Sequence, residues 1–250
     1  MLTDRVLHVA VSTGDKGASM DDAALAALVR VLRGDTTEIG CVLLQGAGAN
    51  FCTGGNVAAF AAADDPEAAV GEMATRFHVA VTALTSAPVP VVAAVTGWAA
   101  GAGMSTALTA DVIVRGPGTR FRPAYPSIGF SPDGGMSWSL PRAIGAARAR
   151  DVLLTDAVID GEKAYAWGLM TRLVDDDAVR STALEVATAL AHGPARSHAA
   201  IRTLVREGRQ RTLTEHLPHE AEAIAACAAS RDGREGVQAF LQRRPPIFGS

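Results

Sequence analysis

The chain predicts a mixed α/β fold, with a β-containing core followed by a helical C-terminal region. Three observations carry this. Short apolar runs alternate with helical patterns through the first half. Two Gly-rich stretches, Phe51-Cys52-Thr53-Gly54-Gly55-Asn56 and Gly97-Trp98-Ala99-Ala100-Gly101-Ala102-Gly103-Met104, each follow an apolar run and open into an Ala-rich helical pattern. From about Ala146 onward nearly every segment reads as helix.

Val6 to Val11 is the first strand candidate. Ser19-Met20-Asp21-Asp22 is similar to a capping box and opens an amphipathic helix to about Arg33. Ile39 to Gln45 reads as a buried strand. Pro66, after Asp64 and Asp65, takes a first-turn position where its missing N–H is not needed, and starts a long helix ending before Pro88. Val91 to Val95 and Val112-Ile113-Val114 are further strands, with helices expected over the sheet faces. The second half reads as helices at Ala146–Leu154, Glu162–Trp167, Asp176–Ala191, Pro194–Arg206, Thr212–Ser230 and Arg234–Arg243, with one more strand at Thr171–Val174. The expected division is a core over residues 1–193 and a helical region over 194–250. The strand–turn–helix unit recurs, consistent with a β-β-α spiral.

The net charge of −3 excludes the strongly basic face of a general nucleic-acid binder. Nine Arg against six acidic residues over 195–250 leave that region locally basic and the rest acidic, which suits a phosphorylated ligand or a solvated helix face. Cys41, Cys52 and Cys227 lack metal-ligand spacing, His192, His198, His216 and His219 form no ligand pattern, and no metal is expected. Arg5 and His8 interrupt the first apolar run, and no segment approaches a membrane span. The chain reads as a soluble cytoplasmic protein with reduced thiols.

Two Gly-rich turns ahead of helices expose two sets of backbone N–H groups. Facing one another, they form an oxyanion hole, which stabilises an enolate or tetrahedral thioester oxygen. Gly101-Ala102-Gly103 also resembles a dinucleotide fingerprint, with Arg115 where a 2′-phosphate would sit. Against that, Thr106 stands where the third glycine belongs, and the following helix is shorter than the roughly 10–12 residues a parallel crossover needs.

The paired turns, with the segment Phe121 to Arg142 and the stretch Arg234-Glu235-Gly236-Val237-Gln238-Ala239-Phe240, resemble the crotonase (enoyl-CoA hydratase/isomerase) superfamily over nearly the whole chain. The resemblance implies a ClpP-like β-β-α spiral core, a C-terminal helical trimerisation region, a homotrimer or homohexamer, and an acyl-CoA thioester substrate with no cofactor beyond the coenzyme A it carries. It places one oxyanion-hole N–H on Gly55, with Asn56 in place of the usual Asp, and the other on Ala102. Gly54, Asn56, Gly101, Trp98 and Tyr125 would line the substrate, and Arg243 and Arg244 are similar to a basic pair that meets coenzyme A phosphates. A solvated surface pair is the other reading of those arginines, and packing that of Trp98.

The departures bear on the chemistry. Hydratases of the family carry two glutamates to position and activate water; the corresponding residues are Ser105 and Tyr125, neither a carboxylate base near neutral pH. Ser131-Pro132-Asp133-Gly134-Gly135 resembles the isomerase segment whose Asp shuttles a proton between C2 and C4 of a 3-enoyl-CoA or assists opening of an aryl epoxide thioester. Locally, Asp133 could instead cap the helix toward Leu140. His78, twelve residues before Pro90, takes the spacing of a histidine in aryl-CoA dehalogenases, where an attacking Asp falls at Asp133. Taken alone, the residue favours the plainer reading, a partly buried histidine on the helix from Pro66 to Ser86. The expected reaction is double-bond isomerisation through a thioester enolate, with 4-halobenzoyl-CoA dehalogenation, enoyl-CoA hydration, or non-catalytic acyl-CoA binding as alternatives.

Overall fold

Strands that are apolar at every position are explained by burial on both faces, and Val91–Val95 is buried throughout. The computed structural model describes residues 1–14 and 18–249, with Ala59 and Phe60 described by backbone alone. The first strands are β1 (Leu2–Thr3), β2 (Val6–Ala10), β3 (Cys41–Gln45), β4 (Val91–Val95) and β5 (Trp98–Ala100). They are followed by β6 (Val112–Arg115), β7 (Arg120–Arg122), β8 (Ile159–Asp160) and β9 (Arg172–Leu173). A six-stranded sheet has the order β1-β2-β3-β4-β6-β9, parallel except for the β1–β2 pair. A small sheet has the order β5-β7-β8.

The helices α1 (Asp22–Arg33), α2 (Val57–Ala61), α3 (Pro66–Ser86), α4 (Ala102–Ala107), α5 (Met136–Ile144), α6 (Ala146–Thr155) and α7 (Gly161–Ala166) connect these strands. α8 (Val179–Ala191) returns across the large sheet, and α9 (Ala195–Gly208), α10 (Leu213–Ala228) and α11 (Arg231–Gln242) form the helical C-terminal region. β4, β5 and α4 make one unit of the spiral, and β6, β7 and α5 make the next. One strand of each unit lies in each sheet.

Apolar side chains alternate between two cores. Cys41, Leu43, Val92, Ala94 and Val114 pack against Val179, Ala183, Val186 and Ala187 of α8. On the other face Val42, Leu44, Val91, Ala93 and Val95 pack with Leu25 and Leu28 of α1 and Phe77, Ala80 and Leu84 of α3. α9 is tied to α3 by Arg202, which donates to Leu84 O at 3.0 Å and pairs with Asp111 at 2.7 Å. Arg202 thus adds a second donor to a carbonyl at the end of α3 that also accepts from the Ala87 N–H at 3.4 Å.

Most expected elements are present within a residue or two, and Asp65 caps α3 by accepting from Ala68 N–H at 3.0 Å. The expected capping box at Ser19 does not form. Met20 N–H donates to Gly54 O and Thr13 N–H to Ser19 O, which pulls that stretch into extended pairing, so α1 is capped two residues later by Asp21, accepting from Ala24 N–H. Strands β1, β5, β7 and β8 carry too few residues for a period and were not expected.

Candidate active site

The two glycine-rich turns lie side by side. Cys52 N–H donates to Trp98 O at 3.1 Å and Ala100 N–H to Cys52 O at 2.9 Å, so Cys52 is bridged to β5. Just past that bridge the first chain turns toward α2 and the second, at Gly101, into α4. Gly101 sits at φ 51° and ψ −125°, a conformation open essentially to glycine alone. A Cβ there would lie 3.6 Å from Gly54 Cα. Gly54, Gly55, Asn56, Gly101 and Ala102 all line one cavity of about 960 Å³. Val70, Met73, Ala74 and Phe77 of α3 add an apolar wall, and Tyr125, Ile128, Phe130 and Asp133 add another.

The charged residues on the lining are Asp22, Glu67, Arg76 and Asp133. Arg76 faces Glu72 at 3.7 Å across exposed side chains. Asp133 is half-buried and held from three sides. Tyr125 Oη donates to its Oδ1 at 2.6 Å, a short bond to a charged acceptor. Ser105 Oγ donates to its main-chain carbonyl at 3.0 Å and lies 3.4 Å from Tyr125 Oη. Gly134 N–H donates to His78 Nε2 at 3.2 Å. Burial, and then the Asp133 carboxylate beside it, push the Tyr125 phenol far above its ordinary value of 10, so it stays a donor. Thus Ser105 and Tyr125 both bond to Asp133, Ser105 at its main-chain carbonyl and Tyr125 at its carboxylate.

Asp133 does not cap α5. That helix begins at Met136 after Gly135, without a side-chain cap. Tyr125 itself is set by Asp156, a residue sequence reasoning missed. Its Oδ1 accepts from Ala124 N–H at 2.7 Å, and its Oδ2 from Arg122 Nη2 at 2.6 Å. Ala124 adopts φ 62°, and nothing local to it, or to Asp156 more than thirty residues on, announces the pairing.

Three expected substrate-binding residues lie off the cavity. Trp98 is 38% exposed on β5 and its N–H donates to Asn50 Oδ1, because strand pairing turns it away from the Ala99 core position. Arg244 is a partner of Glu235, at 2.6 Å, and of Gln242. Arg243 ends α11 in the left-handed conformation, exposed. His78 is also absent from the cavity lining and reaches the site through the Gly134 N–H and its ring contact with Phe77. Cys52 is fully buried behind the turn, and burial pushes its thiol up to about 11. Among the described residues no group of three or more His, Cys, Asp or Glu side chains is placed to hold a metal ion, and no helix is long and apolar enough to cross a membrane.

Spiral core, paired backbone turns and shared cavity define a crotonase-superfamily enzyme. The chain belongs to the enoyl-CoA hydratase/isomerase family, whose sequence profile matches residues 5–250. It is 36% identical over 232 residues to 1,2-epoxyphenylacetyl-CoA isomerase of Escherichia coli (strain K12), covering 90% of this chain and 87% of the relative. It is 38% identical over 232 residues to a probable enoyl-CoA hydratase of Rhodobacter capsulatus, covering 92% and 88%. The crystal structure of a putative enoyl-CoA hydratase/isomerase from Mycobacterium abscessus superposes with a TM-score of 0.93 at 33% identity, over 99% of this chain and 97% of that one.

Proposed function

We propose that the protein isomerises an acyl-CoA thioester by moving a proton along its acyl chain through an enolate. The observation that carries this reading is the hydrogen bond from Tyr125 to Asp133. It occupies Oδ1, leaves Oδ2 for the substrate, and holds one carboxylate on the wall of the cavity that Gly55 and Ala102 also line. For a 3-enoyl thioester, Asp133 takes a proton from C2. The bonding pair spreads over the thioester carbonyl and the C3–C4 double bond as a dienolate, whose oxygen is held by the Gly55 and Ala102 N–H groups. Asp133 then returns the proton to C4, leaving the double bond between C2 and C3. Opening of an aryl epoxide thioester, the kind of substrate named for the E. coli relative, makes the same demand for one positioned acid–base. Coenzyme A enters as part of the substrate.

Hydration makes a different demand. Water must be oriented and deprotonated while an acid protonates C2, which calls for two groups. Ser105 donates its hydrogen to a carbonyl and Tyr125 donates to Asp133, so neither is a base. Steady-state assay of matched 3-enoyl-, 2-enoyl- and aryl-epoxide-CoA substrates tests the reading. Isomerisation of one of these should exceed hydration of the 2-enoyl thioester, and Asp133→Asn should abolish it. Faster hydration, or an active Asp133→Asn enzyme, would overturn it.

A further inference from the structure

The peptide unit that joins Asp133 to Gly134 is pinned at both ends. Its carbonyl oxygen accepts from Ser105 Oγ on α4, at 3.0 Å, and its N–H donates to His78 Nε2 on α3, at 3.2 Å. The same carbonyl accepts from Met136 N–H at the start of α5. Gly134 is buried at φ 59°, and a Cβ there would lie 2.2 Å from Phe77 Cε1 and 2.7 Å from Ser105 Cβ, so no side chain shields this peptide from either helix. The orientation of that plane fixes ψ of Asp133 and hence where its side chain leaves the backbone. Tyr125 fixes the far end of the same side chain. Peptide and carboxylate are therefore held by three side chains from three separate segments.

His78 is the one member of this set whose purpose neither the cavity nor the proton path explains. Its residue is exposed on α3 and is not part of the cavity lining. It accepts, which requires a neutral ring with Nε2 unprotonated and the proton on Nδ1. A ring that accepts an N–H bond at Nε2 is not free at that atom to deprotonate water. From this geometry we infer that His78 is a positioning residue: as a hydrogen-bond acceptor for the Gly134 amide, it holds Asp133 in the orientation that moves the proton. The inference rests on Asp133 as the proton carrier. It separates His78 from the role of an ester-hydrolysing base.

The consequence for kinetics is specific. Losing the acceptor leaves a buried N–H unpaired and frees one end of the peptide plane, and misplacing a reacting group by about 1 Å costs on the order of 10²-fold in rate. Binding of the thioester to the turns at Gly55 and Ala102 should be untouched. His78→Ala should therefore lower kcat by about 10- to 100-fold with KM within about twofold. His78→Gln supplies a carboxamide oxygen as acceptor and should recover kcat to within about threefold of the parent. Both are compared with the parent by thermal melt, so that a folding defect is not read as a kinetic one. Asp133→Asn serves as the control: activity in that variant would overturn the functional reading, whereas an inactive Asp133→Asn with a fully active His78→Ala would overturn only the positioning role. A His78→Gln enzyme as slow as His78→Ala would overturn it too, because it would mean that the ring moves protons. A readout independent of turnover is the two-bond 1H–15N spectrum of the histidine rings at pH 8. The resonance that disappears in His78→Gln should show a protonated Nδ1 and bare Nε2, and the opposite tautomer would refute the bond.

Discussion

Gly103→Ala tests the apposition of the two turns without touching a residue of the proposed proton path. Gly103 lies on α4, and a Cβ placed there would come 2.2 Å from Cys52 O and 2.8 Å from both Cys52 C and Cys52 Cβ. Real Cβ atoms essentially never approach a heavy atom within 3.0 Å, so one turn must retreat by about 0.8 Å. The atoms in the way are largely backbone, and Cys52 O is already engaged by Ala100 N–H at 2.9 Å, so no rotamer change relieves the clash. Overpacking of this kind costs about 1–3 kcal/mol. In a chain of this length each kcal/mol is worth roughly 2–4 °C in Tm, which gives a drop of roughly 2–12 °C. The same displacement moves the Gly55 and Ala102 amides apart, and a shift near 1 Å in a preorganised site costs on the order of 10²-fold. A scanning thermal melt and a steady-state isomerase assay on the folded variant measure both effects. A Gly103→Ala protein with unchanged Tm and unchanged kcat would show that the two turns are not locked together as described.

Two further outcomes follow from the structure. Gly55→Pro removes one backbone donor outright, and kcat should fall by about 10²–10³ in a variant that still folds by circular dichroism, the usual loss for one oxyanion-hole donor. The second outcome concerns pH. Arg244, and after it the Ile247 N–H, holds the Glu235 carboxyl down at about 2, below its ordinary value of 4.5. A depressed carboxylate contributes its stabilisation above its unfolded value and loses it as pH falls through the folded one. Amide hydrogen exchange at Ile247, Phe248 and Gly249 should therefore rise as pH drops from 4.5 toward about 2, after correction for intrinsic rates, and Glu235→Gln should show raised exchange already at neutral pH.

What could be read in advance followed the range of the forces involved. Val91 to Val95 was legible because burial on both faces demands five apolar residues in a row, and α3 because Asp65 and Pro66 are a local start signal. The stretch from Gly97 to Gly101 read as a single turn, but Trp98–Ala100 is a strand, created by Cys52 on one side and Arg120–Arg122 on the other. Ser19 carried the residue type of a cap and lost the position to Asp21, because Met20 was taken by Gly54. The site divides the same way. Gly55, Ala102 and Asp133 sit in segments that resemble the family's motifs, and the resemblance, not the local pattern, singled them out. The bond from Gly134 to His78 spans 56 positions and that from Ala124 to Asp156 spans 32, and no local pattern encodes either.

The parallel order of the large sheet also governs how the molecule is made. Val6 meets Cys41 across 35 residues, Val42 meets Val91 across 49, and Val114 meets Arg172 across 58. Each pairing must close a long loop before any ladder rewards it, with an entropic cost that grows as the logarithm of loop length. Helices α1 and α3 can form early from local contacts, but the large sheet has only the short β1–β2 hairpin as a local nucleus. The cavity draws on residues from Met20 to Asp133, so a chain emerging from the ribosome cannot complete it until all of that span has been synthesised. Competence to bind therefore waits on the parallel pairing of β2, β3 and β4, which brings those distant segments together.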